Sequence, residues 1–157
     1  MSRPSENGIL IRIGDKTYEV SKADVLTNGG ERHWTFNEAI ENFAKNRTKG
    51  SWRLPTAIEA QAIIDVLTLE DGLSEFNTVR LMNRLNLSFV GKSHGFNGHL
   101  HYCIGEDSEG LWWTSTSRDY HEGLSSVSVL KISHSNIGIS TVDPKETGAA
   151  VRLIREI

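Results

Sequence analysis

Ile9, Ile11 and Ile13 alternate with Leu10 and Arg12, Gly14-Asp15-Lys16 supplies turn chemistry, and Thr17-Tyr18-Glu19-Val20 returns as β-prone sequence. The spacing predicts an N-terminal hairpin. After a polar connector ending in Asn28-Gly29-Gly30, Thr35 and Glu38 stand three apart before Ala39, Ile40, Phe43 and Ala44. This is a capping box followed by an apolar stripe, and it predicts a helix over Thr35 to Lys45. Ser51-Trp52-Arg53-Leu54-Pro55 is extended, because the residue before proline is pushed out of the helical basin. Thr56 and Glu59 repeat the box, and Ile58, Ala62, Ile63, Val66 and Leu67 predict a second helix over Ala57 to Leu67. Val79, Met82 and Leu85 suit a shorter third one.

Leu85 to Val90 reads as a short strand, and the Gly-, His- and Ser-rich run from Gly91 to Gly110 as one long loop. It leads into Gly110-Leu111-Trp112-Trp113-Thr114-Ser115-Thr116-Ser117, a strand that points its two indoles to opposite sides. Its hydroxyls suit a ladder along the sheet. Beyond it, Val127, Val129 and Ile132, then Ile137 and Ile139, then Val151 and Leu153 predict three antiparallel strands. Helices in the first half and strands in the second predict an α+β fold.

The chain has 157 residues, the size of one domain with a core of its own. With 17 basic against 20 acidic residues its formal charge is −3, and no basic cluster stands out, so nucleic acid is not expected as a partner. Cys103 is the single cysteine, which excludes an intramolecular disulfide and suits a reducing compartment. No run approaches the length needed to span a bilayer, and Met1 to Gly8 lacks the apolar region of a signal peptide. With Met1 as the native start, synthesis in the cytoplasm is expected, without secretion or membrane insertion.

Several segments taken together carry a resemblance. Trp34 before a helix, Gly50-Ser51-Trp52-Arg53-Leu54-Pro55-Thr56 opening a second, Leu87-Ser88-Phe89-Val90-Gly91, Trp112-Trp113-Thr114-Ser115-Thr116 and Val151-Arg152-Leu153-Ile154-Arg155 follow one another in an order and spacing that resembles the Fibrobacter succinogenes major paralogous domain family. The resemblance implies a C-type-lectin-like fold: two main helices packed on a small twisted antiparallel sheet, with the N- and C-terminal strands paired. It also places the chain near sulfatase-modifying-factor proteins and retroelement-diversified phage and bacterial receptor-binding proteins. It covers residues 34–157 and leaves 1–33, the hairpin and connector, outside. Arg53 and Arg152 would then be buried scaffold residues, each satisfied by carbonyls or a carboxylate.

The candidate chemistry is weighed on this frame. His94, His99, His101 and Cys103 form a soft-metal constellation whose spacing matches no zinc pattern, so no metal or other cofactor is expected. Asp107 and Glu109 with Asp119 and Glu122 could in principle collect a hard cation, but solvated loop charges are the favoured reading. The sulfatase-modifying relatives depend on a cysteine pair, which this chain lacks, and no nucleophile-elbow glycines surround the Thr-Ser-Thr-Ser run. An enzyme is not expected.

Recognition fits better. The turn Arg118, Asp119, Tyr120 and His121, and the turn Ser133, His134 and Asn136, carry the residue types that adaptable recognition loops use. With His99 and His101 of the preceding loop they form the expected binding face, all three segments lying at one end of the sheet. The expected function is a non-enzymatic module that binds a glycan or a protein surface, such as a phage fibre, tail or capsid-decoration component. A structural part of a larger assembly or homo-oligomer is the alternative, and a metal-dependent enzyme using the His94 to Cys103 loop is a minor one.

Overall fold

The structure is a computed structural model describing residues 2–71, 77–96, 99–119 and 125–157, with backbone only at 71, 77, 96, 99, 101 and 119. It is mixed α+β. The first sheet has the order β1 (Ser2–Pro4), β2 (Gly8–Ile13), β3 (Lys16–Ser21) and β11 (Ile154–Glu156). In the second, β4 (Trp34–Thr35), β10 (Thr147–Ala149), β5 (Lys92–Phe96) and β6 (His99–Ile104) lie side by side. The third is β7 (Glu109–Asp119), β8 (Ser125–Ser133) and β9 (Ile137–Val142). Within these sheets every pairing is antiparallel.

The helices begin where the capping boxes predict. In α1 (Phe36–Phe43), the Thr35 hydroxyl accepts from the Glu38 N–H while the Glu38 carboxylate accepts from the Thr35 N–H. In α2 (Ala57–Asp71), Thr56 and Glu59 reciprocate in the same way. The first helix stops short of Lys45 and the second runs past Leu67. A third, α3 (Asn77–Leu85), closes through Asn86 at φ 52, with Asn86 N–H to Asn83 O at 3.3 Å and Leu87 N–H to Met82 O at 2.8 Å. This left-handed helix end replaces the strand expected over Leu85 to Val90: a chain turned that sharply cannot enter a ladder at once. Leu87 and Val90 are buried all the same.

β7 divides two cores, and strand alternation explains how. Trp112 packs with Ile9, Ile11, Tyr18 and Val20 of the hairpin and with Ile63, Leu67 and Leu81 of the helices. Leu111 and Trp113 face the other way, among Trp34, Leu54, Val127, Val129 and Val151, with Trp52 packed alongside. The two indoles do point apart, and both are buried because β7 is covered on both sides. The N-terminal hairpin is part of this core, and β3 pairs with the C-terminal β11.

Other expectations are corrected by long-range pairing. Gly91 to Gly110 is no open loop; β5 and β6 form a hairpin, with a register irregularity between His94 and Gly95 that breaks the alternation. The expected strand through Val151 and Leu153 is split, β10 joining one sheet and β11 another, with the residues between them crossing from sheet to sheet. The Thr114 to Thr116 hydroxyls make no ladder, because the β7–β8 register shifts between Trp113 and Ser117. Thr114 donates to the Ser128 carbonyl at 2.6 Å, and Thr116 accepts from the Ala57 N–H at 2.9 Å, capping the start of α2.

Both scaffold arginines are buried and satisfied. Arg53 grips the two Glu59 carboxylate oxygens at 2.7 Å each and donates to the Leu54 carbonyl. Arg152 donates to Asp24 at 2.9 Å and to the carbonyls of Ser21, Leu85 and Asn86. Arg152 thus holds the connector and the C-terminal end of α3 together.

Candidate functional site

Of the residues expected to form one recognition face, the two turns lie at opposite ends of the third sheet, and His99 and His101 belong to the second. Glu109 pairs with Ser133 and Asp119 with Ser125, so the turns before and after β8 are separated by the length of that strand, about 30 Å. Successive turns of an antiparallel meander alternate ends, which is why sequence adjacency misleads here. Arg118 is exposed at the far end of β7, and Asp119 closes the pairing there. Tyr120 and His121, with Glu122, lie outside the described residues.

Ser133 closes the opposite turn by donating its N–H to the Asn136 carbonyl at 2.8 Å, and His134 rests its ring 4.6 Å from that of Phe89. His99 and His101 belong to the backbone of β6, not to a loop. Glu109 is engaged by Lys92 at 3.2 Å and by Lys131 at 3.8 Å, which makes it an ion-pair partner. Among the described residues no group of three or more His, Cys, Asp or Glu is placed to hold a metal ion.

A better-formed site lies between the connector and the β5–β6 hairpin. Thr27 organises the connector, since its carbonyl accepts from Gly30 and its hydroxyl from the Glu31 N–H, while Gly30 sits at φ 78. The turn delivers His33 into the interior. There His33 Nε2 lies 2.9 Å from the Val90 carbonyl and Nδ1 lies 2.6 Å from Ser93 Oγ. A carbonyl can only accept, so Nε2 carries the proton and Nδ1 accepts from the Ser93 hydroxyl. The ring is a staple from connector to β5. At the base of the hairpin Gly91 has φ 69, and a Cβ there would stand 2.5 Å from the Ile104 carbonyl, so only glycine fits.

Above this staple opens a cleft of about 550 Å³, lined among others by Leu26, Glu31, Arg32, Tyr102 and Glu106. A second hollow of about 470 Å³ adjoins it, sharing Glu31, His33 and Leu100 and reaching Glu38 and Asn42. Tyr102 is 56% exposed and Leu26 53%, so both of these lining side chains are open to a ligand. The Tyr102 ring is braced by His94, centroids 5.5 Å apart. Burial and the Glu106 carboxylate push the Cys103 thiol up to about 11, which favours its protonated form at neutral pH. The cleft offers an aromatic face, a guanidinium and two carboxylates: groups for binding a polar ligand. Sequence reasoning missed it because its walls are some sixty residues apart in sequence; the Asn28-Gly29-Gly30 turn before Glu31-Arg32-His33 was the available signal.

The staple has a pH signature. Burial lowers the His33 pKa below its ordinary 6.5 and outweighs the Val90 hydrogen bond; Arg32 lowers it further, while Glu106 and Asp24 oppose. The unfolded chain therefore binds the proton first as pH falls, and stability declines as pH drops from neutral through 6.5 and below. Urea midpoints measured across that window should fall for the wild type and fall less for His33→Gln. Equal slopes would contradict the assignment. Glu59 acts lower on the scale: burial would raise its pKa, but Arg53 and the Thr56 N–H hold it at about 2, so its contribution is lost only as pH falls from 4.5 toward 2.

Compared with known proteins, the chain matches no family model, and no curated protein or solved structure is significantly similar to it.

Proposed function

We propose that this chain is a non-enzymatic recognition module that binds a glycan or a protein surface through the cleft between the connector and the β5–β6 hairpin. The observation that carries the reading is the lining itself: the exposed Tyr102 face beside Arg32, Glu31 and Glu106 on a framework fixed by His33. An aromatic face provides stacking area at low entropy cost, and the surrounding ions supply directional hydrogen bonds to hydroxyls or amides. The resemblance to the Fibrobacter succinogenes major paralogous domain family, and through it to a C-type-lectin-like architecture, is in keeping with this use. So is the pairing of β3 with β11. A place in a phage virion, as part of a fibre, tail or capsid decoration, is the setting in which such a module would act.

Glu31, Arg32 and Glu106 are exposed, so replacing all three with alanine should leave the melting curve in place. Screened against a glycan array and a panel of surface-protein ectodomains, the wild type should bind a defined subset. The triple variant should bind it at least about tenfold more weakly. Undiminished binding by the variant would move the site elsewhere.

A further inference from the structure

Six strands end these sheets, and two of them, β7 and β11, are bridged by neighbouring segments through Gly91, Ala150 and Arg53. β1 is three residues long and carries Arg3 and Pro4, and β4 has only two residues; both are blunted in ways that discourage pairing. β9 is longer, but most of its side chains are half-buried and it packs against α2. β6 is different. His99-Leu100-His101-Tyr102-Cys103-Ile104 contains no Asp, Glu, Lys, Arg or Pro, it ends the second sheet, and Tyr102 and Ile104 are exposed at 56% and 40%. Among the described residues no backbone hydrogen bond outside its pairing with β5 reaches it.

We infer that β6 pairs with β6 of a second copy of this chain, antiparallel about a two-fold axis, joining two four-stranded sheets into one of eight strands. The row of open backbone donors and acceptors is complementary to another extended strand and to little else. A contact of this kind sets a strand against itself, so any formal charge would meet its own like; β6 carries no acidic residue, lysine or arginine. The register follows from the exposed side chains. With the axis through Cys103, Tyr102 of each copy lies opposite Ile104 of the other, so the exposed apolar pair covers itself twice. Cys103 then faces Cys103, at the Cα separation of directly opposed residues, about 4.5–5.5 Å, within disulfide reach. The pairing shares Tyr102 and Cys103 with the cleft wall, whereas Ile104 lies outside that lining, so a change at Ile104 tests association separately from ligand binding.

Sedimentation equilibrium of the full chain from micromolar to tenth-millimolar concentration should show a reversible monomer–dimer equilibrium. Ile104→Glu sets a carboxylate opposite Lys92 on β5, which preserves the fold, and against Tyr102 of the second copy, which should weaken association at least about tenfold. Copper-phenanthroline oxidation at concentrations where the dimer dominates should give a Cys103-linked dimer, lost in Cys103→Ser. A wild type that stays monomeric throughout overturns the inference. So does a dimer that withstands Ile104→Glu with unchanged circular dichroism, or one that yields no cross-link.

Discussion

Arg152→Ala should destabilise the protein by about 3–5 kcal/mol, a large share of the stability a domain of this size has. The side chain is buried, and burial lowers its pKa, yet its guanidinium makes four separate attachments: Asp24 and the carbonyls of Ser21, Leu85 and Asn86. Two of those carbonyls belong to the left-handed end of α3, where helical acceptors have lost their intrahelical partners and the dipole favours a cation. Truncation leaves Asp24 without its ion-pair partner and three acceptors unmet. Arg152→Lys should restore less than half of the loss, since an ammonium on a flexible stem cannot meet a planar fork of four acceptors. Urea unfolding of both variants checks this; a loss below about 1 kcal/mol for alanine would mean water replaces the guanidinium freely.

Trp113→Ala should cost a similar amount, about 3–5 kcal/mol, and lower the melting temperature by roughly 10 °C. Its ring is fully enclosed, lies 5.4 Å from Phe36, and donates its Nε1 proton to the Trp34 carbonyl at 2.8 Å, so the change removes apolar area and orphans an acceptor together. Trp112→Ala strikes the other core. Its indole donates at 3.0 Å to the same Asp24 oxygen that Arg152 holds. The two tryptophan changes should therefore differ in coupling: Trp112→Ala combined with Arg152→Ala should be clearly non-additive, whereas Trp113→Ala with Arg152→Ala should add. Thermal denaturation of the single and double variants measures this, and additivity in both pairs would contradict the shared role of Asp24.

Local chemistry was legible in the sequence where a few neighbouring residues decide the outcome. The Thr35–Glu38 and Thr56–Glu59 boxes place the starts of α1 and α2, and Gly14-Asp15 turns the hairpin between Ile13 and Lys16. The burial of Arg53 and Arg152 also agreed with expectation. The rest depends on partners far along the chain. β5 and β6 look like a loop because Gly95 and a bulge interrupt their period, and they become strands through pairing with each other and with β10. The hydroxyl run of Thr114 to Thr116 looks like a ladder until Ala57, 59 residues earlier, arrives to be capped. The expected meeting of the 118–121 and 133–136 turns at one end of the sheet fails for the same reason. Strand order, which no single segment encodes, puts the 133–136 turn at the Glu109 end of β7 and brings His33 to Ser93.

The most direct measurement is a backbone amide chemical-shift map of the labelled protein titrated with the tightest ligand from the array. Binding at the cleft predicts that the moving resonances cluster in 26–33, 90–94 and 100–106, and that Tyr102→Ala weakens the titration while His33 stays in its neutral tautomer. Shifts gathered instead around Arg118 and Ser125–Ser126, at the far end of the third sheet, would contradict the account.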